Sequence, residues 1–157
     1  MTPHPMTSLV GELAHTVGAA HVLTGDAIPA QHCTDWFHTH THRPLALVRP
    51  GTPDEVARVM AICHRHGQPV TPQGGLTGLV AGATPNEGDI ALSLTRLNGV
   101  EEIDTAASTL TVLAGTPLQT AQEAARAAGL ELAVDLGARG SCQVGGNIAT
   151  NAGGNRV

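Results

Sequence analysis

The sequence predicts an α+β fold in which small mixed sheets are flanked by helices. Three observations predict it. Segments with helical periodicity alternate along the chain with short apolar segments typical of strands. The 157 residues suit one domain, and an apolar content of 41% with 13% charged residues is enough for a buried core. Two glycine-rich segments interrupt the pattern in the second half of the chain.

The N-terminal region predicts one helix followed by an irregular connection. Residues 8–24 place Leu9, Leu13 and Val17 on one helical face. Residues 25–44 have no clear period. We therefore expect residues 1–34 to form a helical lead-in to a main domain that spans residues 35–157.

The next region predicts a strand, a helix and a second strand. The short apolar run at 45–48 is typical of a buried strand. Residues 52–67 give the clearest helix, because Thr52 can cap it and Gly67 follows its last turn. Residues 69–72 then predict a strand that leads into a glycine-rich segment.

The second half predicts strands followed by a helix. Residues 89–97 place Ile90, Leu92 and Leu94 on one face, which is the period of a strand. Residues 100–115 predict two strands around a turn at 105–108. Residues 116–130 repeat the Thr-Pro helix start, and residues 130–135 predict a short extended segment.

The charge pattern excludes several classes of partner. The net charge is −5 and the eight cations, all arginine, are scattered, so no basic surface for nucleic acid is predicted. No apolar run approaches the ~20 residues of a membrane span. Residues 1–16 hold no basic residue, so we expect no signal or transit peptide. Three widely spaced cysteines favour reduced thiols and a cytoplasmic location.

Three alternating histidines leave two interpretations open. On a strand, His38, His40 and His42 would share a face and suit a metal ion. In a polar loop they would be ordinary exposed side chains, and this interpretation is favoured because no cysteine or carboxylate clusters with them. No metal site is therefore predicted.

The first glycine segment, residues 69–85, carries Gly74, Gly75, Gly78 and Gly82 after a predicted strand. Glycine tolerates positive φ and has no Cβ, so such a segment can expose successive backbone N–H groups. Successive N–H groups form a concavity that binds anions. This arrangement can hold a diphosphate without a lysine, and the chain has none.

The second glycine segment, residues 136–154, combines glycines with hydroxyl and amide side chains. Its glycine content predicts a loop and not a helix. Between the glycines lie Val144, Ile148 and Ala149, which suit the flat apolar part of a cofactor. Neither segment matches the P-loop, which needs a lysine, or the GxGxxG dinucleotide fingerprint.

The two segments together resemble a known family. "PQGGLTGLVAGATP" with "DLGARGSCQVGGNIATNAGGNRV" resembles the flavin-binding domain of the vanillyl-alcohol-oxidase-type (PCMH-type) flavoproteins. The resemblance is greatest to the D-2-hydroxyacid dehydrogenase branch, in particular to its D-2-hydroxyglutarate member. It extends over residues 35–157 and includes "DWF" at 35–37.

The resemblance implies non-covalent FAD as the cofactor, since Leu76 stands where some relatives have a flavin-linked histidine. It implies that the first glycine segment wraps the FAD diphosphate and that the second lies along the flavin and the ribityl chain. The implied cofactor-binding residues are Pro72, Gln73, Gly74, Gly75, Leu76, Thr77, Gly78, Leu79, Leu136, Gly137, Ser141, Gly145, Gly146, Ile148, Thr150, Asn151 and Gly154.

The resemblance also implies an activity, the oxidation of a D-2-hydroxy acid such as D-2-hydroxyglutarate, D-lactate or glycolate to the 2-oxo acid. Family members continue well past the second glycine segment and carry the substrate-binding histidines there. We therefore expect this chain to be an N-terminal fragment that is inactive alone. The electron acceptor stays open between an electron-transfer flavoprotein, a quinone and oxygen. The alternatives are a non-catalytic fragment that at most binds FAD and another PCMH-type flavin oxidase.

Overall fold

The computed structural model describes residues 5–154 and places four α-helices and six strands in that range. Three single 3₁₀ turns lie between residues 19 and 32. In chain order the elements are α1 (Pro5–Val17), β1 (Val22–Leu23), β2 (Ala46–Val48), α2 (Pro53–Arg65), β3 (Val70–Gln73), β4 (Ile90–Ser93), β5 (Val100–Asp104), β6 (Thr109–Val112), α3 (Leu118–Ala127) and α4 (Val144–Ala149).

Four strands form the larger sheet, in the order β1-β2-β4-β3. Strand β4 is central and parallel to both neighbours, so Ile90 pairs with Ala46 on one side and Val70 on the other. All four residues of β4 are buried. The strand predicted within 89–97 is therefore present as β4, and both of its faces are covered, as is usual for a central parallel strand.

Helices α1 and α2 cover one face of this sheet. Leu13 of α1, Val59 of α2 and Ile90 of β4 lie in one apolar cluster and are fully excluded from solvent. Helix α2 begins as the sequence predicts, since the Thr52 hydroxyl accepts a hydrogen bond from the Glu55 N–H at 3.1 Å. The other face of the sheet packs Leu47 against Ile28 and neighbouring residues.

The N-terminal region is part of this core. Strand β1 pairs antiparallel with β2, joining Val22 to Val48, and Leu9 and Val17 are buried against the sheet. The predicted boundary between a lead-in at residues 1–34 and a main domain at residues 35–157 stays a prediction. No helix within residues 5–154 has the length and hydropathy needed to cross a bilayer.

Strands β5 and β6 form a separate two-stranded sheet, with the predicted turn between them. Helix α3 follows, but Thr116 does not cap it. The Thr116 hydroxyl is fully buried, accepts a hydrogen bond from the Gly99 N–H and donates one to the Gly99 carbonyl, both at 3.0 Å. Thr116 therefore ties the start of α3 to the start of the hairpin.

The second glycine segment contains helix α4, so the prediction of a loop without helix is wrong for residues 144–149. Residues 130–135 form no regular strand; a single parallel bridge joins Asp135 to Gly154.

Candidate cofactor site

The first glycine segment leaves the larger sheet at the carboxyl end of β3, where ligands of parallel sheets commonly bind. Gln73, the last residue of β3, is fully buried. Its Nε2 donates hydrogen bonds to the carbonyls of His32 at 3.0 Å and Ala83 at 2.9 Å. Its Oε1 lies 2.8 Å from Nδ1 of His32. Gln73 therefore joins the start of the first glycine segment to Ala83 and to His32. We call these three contacts the Gln73 clamp.

From Gly74 to Ala83, the backbone N–H groups have no acceptors within the described part of the chain. Leu76 and Ala81 adopt left-handed φ angles of 56° and 57°. Non-glycine residues in this region are strained, and such strain concentrates at functional sites. In anion-binding nests, a right-handed residue next to a left-handed one turns successive N–H groups towards one side, and the left-handed residues here are compatible with that geometry.

The two glycine segments are in direct contact. A Cβ on Gly75 would overlap the backbone of Ser141 and lie 2.9 Å from Cα of Cys142. A Cβ on Gly74 would lie 3.5 Å from Oε1 of Gln143. Gly75 is therefore required by the packing of one segment on the other, whereas Gly74 borders a space that could accept a methyl group.

Helix α4 is fixed by long-range backbone hydrogen bonds. The N–H of Val144 donates to the Thr116 carbonyl at 2.9 Å and the N–H of Gly145 donates to the Ala114 carbonyl at 2.8 Å. Gly145 therefore has no donor left for a ligand, and its lack of a side chain serves close approach to Ala114. At Gly146 nothing in the described chain lies within 4 Å of where a Cβ would be.

The remaining predicted residues lie in different surroundings. The side chains of Leu79 and Ile148 are 59% and 76% exposed. Pro72 and Gly78 are exposed, and Leu76 and Thr77 are partly buried.

Several residues of the second segment bond within that segment. The Thr150 hydroxyl donates to the Gly146 carbonyl at 2.8 Å, and the Ser141 hydroxyl to the Ala138 carbonyl at 3.3 Å. Asn151 has a left-handed φ of 52° just after α4. Leu136 and Gly137 lie in the turn that precedes Arg139, and Gly154 packs against the backbone of Asp135.

Asp35 organises a neighbouring turn that presents two aromatic side chains. Its carboxylate accepts hydrogen bonds from the N–H of His40 at 2.7 Å, the hydroxyl of Thr39 at 2.8 Å and the N–H of Phe37 at 3.3 Å. These bonds, led by that of His40, lower the pKa of Asp35 to about 2. Trp36 and Phe37 are 56% and 61% exposed.

The alternating histidines and the three cysteines lie in contrasting surroundings, the first exposed and the second buried. The histidines at 38, 40 and 42 are exposed around the Asp35 turn, and the described residues contain no cluster of three side chains suited to a metal ion. Cys33, Cys63 and Cys142 are all buried and free, and burial raises the pKa of the Cys63 thiol.

Two cavities, of about 370 and 210 Å³, lie around α3 and are not lined by the first glycine segment. The candidate cofactor site is therefore the junction of the two glycine segments, where the run of N–H groups without acceptors in the described chain begins. Sequence reasoning missed Gln143, whose signal is a long polar side chain among small residues, and His32, which no motif marks.

This fold and site define a flavin-nucleotide-binding domain. A family described as FAD binding domain matches residues 44–157, and the chain belongs to that family. The free N–H run fits the diphosphate of FAD, and the prediction of FAD as the cofactor is confirmed.

Comparison with curated proteins identifies relatives of this chain by sequence identity. The chain is 44% identical over 145 residues to D-2-hydroxyglutarate dehydrogenase of Xanthomonas citri pv. viticola, covering 92% of this chain and 31% of that protein. It is 42% identical over 123 residues to the mitochondrial D-2-hydroxyglutarate dehydrogenase of Bos taurus, covering 78% and 23%. The chain thus spans less than a third of the length of these relatives.

Solved structures confirm the fold. Alkyldihydroxyacetonephosphate synthase superposes with a TM-score of 0.82 at 18% identity, over 90% of this chain and 28% of that one. The 4-ethylphenol oxidase of Gulosibacter chungangensis superposes with a TM-score of 0.75 at 24% identity, over 94% and 29%. The predicted α+β architecture of a PCMH-type domain is confirmed.

Proposed function

We propose that this chain is the FAD-binding part of an enzyme that oxidises a D-2-hydroxy acid to the 2-oxo acid. One observation carries the proposal: a run of N–H groups without acceptors in the described chain begins at Gly74 and Gly75, where the first glycine segment contacts the second. The substrate class follows from the 44% identity to a protein named D-2-hydroxyglutarate dehydrogenase. D-2-hydroxyglutarate, D-lactate and glycolate are the candidate substrates.

In this proposal the two glycine segments bind different parts of FAD. The first segment donates uncharged backbone hydrogen bonds to the diphosphate, with Leu76 in its left-handed conformation turning the donors together. The second segment offers the uncrowded backbone of Gly146 and the exposed side chain of Ile148 to the flavin end. Because Leu76 has no nucleophilic atom, the proposed binding is non-covalent.

Oxidation of a hydroxy acid to an oxo acid needs a hydride acceptor and a base. When bound, FAD supplies the acceptor for the hydride that leaves C2 of the hydroxy acid. The hydroxyl proton leaves to a base as the C2 carbon becomes a carbonyl. We assign none of residues 5–154 to that base, so the role proposed for this chain is to bind and orient the cofactor.

The compartment and the electron acceptor belong to the proposal as well. Three buried, free thiols favour a reducing compartment, as in the predicted cytoplasmic location. Relatives from Bos taurus and Danio rerio are named as mitochondrial, so a mitochondrial location is the alternative. An electron-transfer flavoprotein or a quinone is the proposed acceptor of the two electrons.

Purification followed by visible spectroscopy and a titration with FAD tests the proposal. We expect flavin absorption near a 1:1 ratio and release of all the flavin into the supernatant on acid precipitation. A protein that stays colourless in excess FAD contradicts the proposal. Binding without turnover of D-2-hydroxyglutarate, with an artificial electron acceptor present, favours the non-catalytic alternative for this chain.

Two glycine variants test the position of the proposed FAD-binding site. A methyl group at Gly78 meets nothing within 4 Å in the described chain but lies in the run of free donors. A methyl group at Gly11, in α1, is equally uncrowded and remote from both segments. We expect Gly78→Ala to weaken FAD binding several-fold and Gly11→Ala to leave it unchanged. Equal affinities for the two variants would contradict the assigned site.

A further inference from the structure

Gln143 carries a buried hydrogen-bond acceptor that the described protein does not satisfy. The residue is 6% exposed and immediately precedes α4. Its Oε1 is shielded from solvent and has no hydrogen-bond partner within residues 5–154. Buried polar atoms are nearly always paired, so an orphaned acceptor indicates a missing donor.

The position of this acceptor connects it to the proposed cofactor site. A Cβ on Gly74 would lie 3.5 Å from Oε1 of Gln143 and 3.8 Å from Cα of Gly146. Gly74 is the first residue of the free N–H run, so the amide stands where the two glycine segments meet. By contrast, the buried amide of Gln73 has partners for both polar atoms: its Oε1 contacts His32, and its Nε2 donates to the carbonyls of His32 and Ala83.

The chemistry of the acceptor restricts what can bind it. A diphosphate presents oxygen acceptors and matches the N–H donors of the first glycine segment, but it has no hydrogen to offer Oε1. The sugar-type hydroxyl groups that adjoin a diphosphate are donors. Resting on the proposed function, we propose that Gln143 accepts a hydrogen bond from a polyol hydroxyl next to the bound diphosphate and so positions the cofactor along the site.

The variant Gln143→Met tests this inference, since it keeps the length of the side chain and removes the amide. We expect FAD affinity to fall about tenfold, the value of one lost hydrogen bond to a buried partner. We expect the stability of the ligand-free protein to stay equal or rise, because an unsatisfied buried acceptor has been removed. A purely structural role for Gln143 predicts the opposite change in stability.

Gln122→Met is the matched control. Gln122 is also buried with an unpartnered Oε1, but it lies in α3 beside a different cavity. We expect it to leave FAD affinity unchanged.

Two smaller ligands identify which hydroxyl is bound. FMN carries the ribityl chain and ADP carries the adenosine ribose. A loss of affinity for FMN alone assigns the ribityl chain, and a loss for ADP alone assigns the ribose; either supports the inference. Unchanged FAD affinity in Gln143→Met overturns the inference while leaving the proposed function intact. A wild-type chain that binds no FAD overturns the proposed function and the inference together.

Discussion

The backbone of Ser141 occupies the space that a side chain on Gly75 would need. The carbonyl carbon of Ser141 lies 2.8 Å from where that Cβ would be, inside the normal contact distance between carbon atoms. The two glycine segments therefore meet backbone to backbone, and no side chain separates them. Because the contact joins residues far apart in sequence, it fixes the position of one segment relative to the other.

Adjacent glycines of the first segment are expected to behave differently. We expect Gly75→Ala to lower the free energy of unfolding by about 2–3 kcal/mol, since the two backbones must separate. Gly74→Ala meets neighbours at ordinary contact distances and is expected to change stability by less than about 1 kcal/mol. Thermal unfolding of the ligand-free proteins measures both. Equal losses in the two variants would show that the segments are not packed as described.

The glycine pair of α4 provides a second contrast. A Cβ on Gly145 would lie 2.8 Å from Cβ of Ala114, whereas one on Gly146 meets nothing within 4 Å in the described chain. We expect Gly145→Ala to destabilise the protein by about 1–3 kcal/mol. We expect Gly146→Ala to stabilise it by about 0.5–1 kcal/mol, because alanine favours the helix, and to weaken FAD binding. Tighter FAD binding by Gly146→Ala would argue against a cofactor at that face.

The Gln73 clamp should be important for stability and for binding. Gln73→Met removes the hydrogen bonds to His32 and Ala83 and leaves the buried polar groups of His32 unsatisfied. We expect a loss of about 2–4 kcal/mol in the free energy of unfolding. Gln31→Met, at an exposed position, is the control and should change little. A chemical denaturation curve for each variant tests this, and similar midpoints would refute the clamp.

Asp35 should make stability depend on pH in the acid range. Its pKa is about 2 in the folded protein, below its ordinary value of 3.8, so its contribution is present above about pH 4. The contribution is lost as the pH falls from about 4 towards 2, because the unfolded chain binds the proton first. We expect the difference in Tm between the wild type and Asp35→Asn to shrink over this range. A constant difference from pH 6 to pH 2 would contradict the assignment.

The parts of the fold that were predictable from the sequence are those with local causes. Helix α2 is specified by Thr52, by the proline that follows it and by apolar residues at helical spacing, and the structure begins it there. The turn between β5 and β6 is likewise set by residues within it, where Asp104 accepts hydrogen bonds from the N–H groups of Ala106 and Ala107.

The parts that were not predictable depend on distant partners. Helix α4 contains two glycines and has low intrinsic helix propensity. It is held by Ala114 and Thr116, whose carbonyl groups accept hydrogen bonds from its first two residues, Gly145 and Val144, although they lie far away in sequence. The pairing of Gln73 with His32 is similar, because nothing near either residue in sequence indicates the other. The glycine motifs predicted a candidate site, but they did not show which N–H groups lack acceptors in the described chain.

The aromatic turn held by Asp35 has a practical consequence. Trp36 is the single tryptophan of a chain without tyrosine, and it is 56% exposed. Near-ultraviolet excitation therefore produces emission from one indole in one known place. Because indole emission overlaps flavin absorption, energy transfer from Trp36 would report the arrival of the isoalloxazine ring without any label. The efficiency of that transfer would give the separation between the two rings.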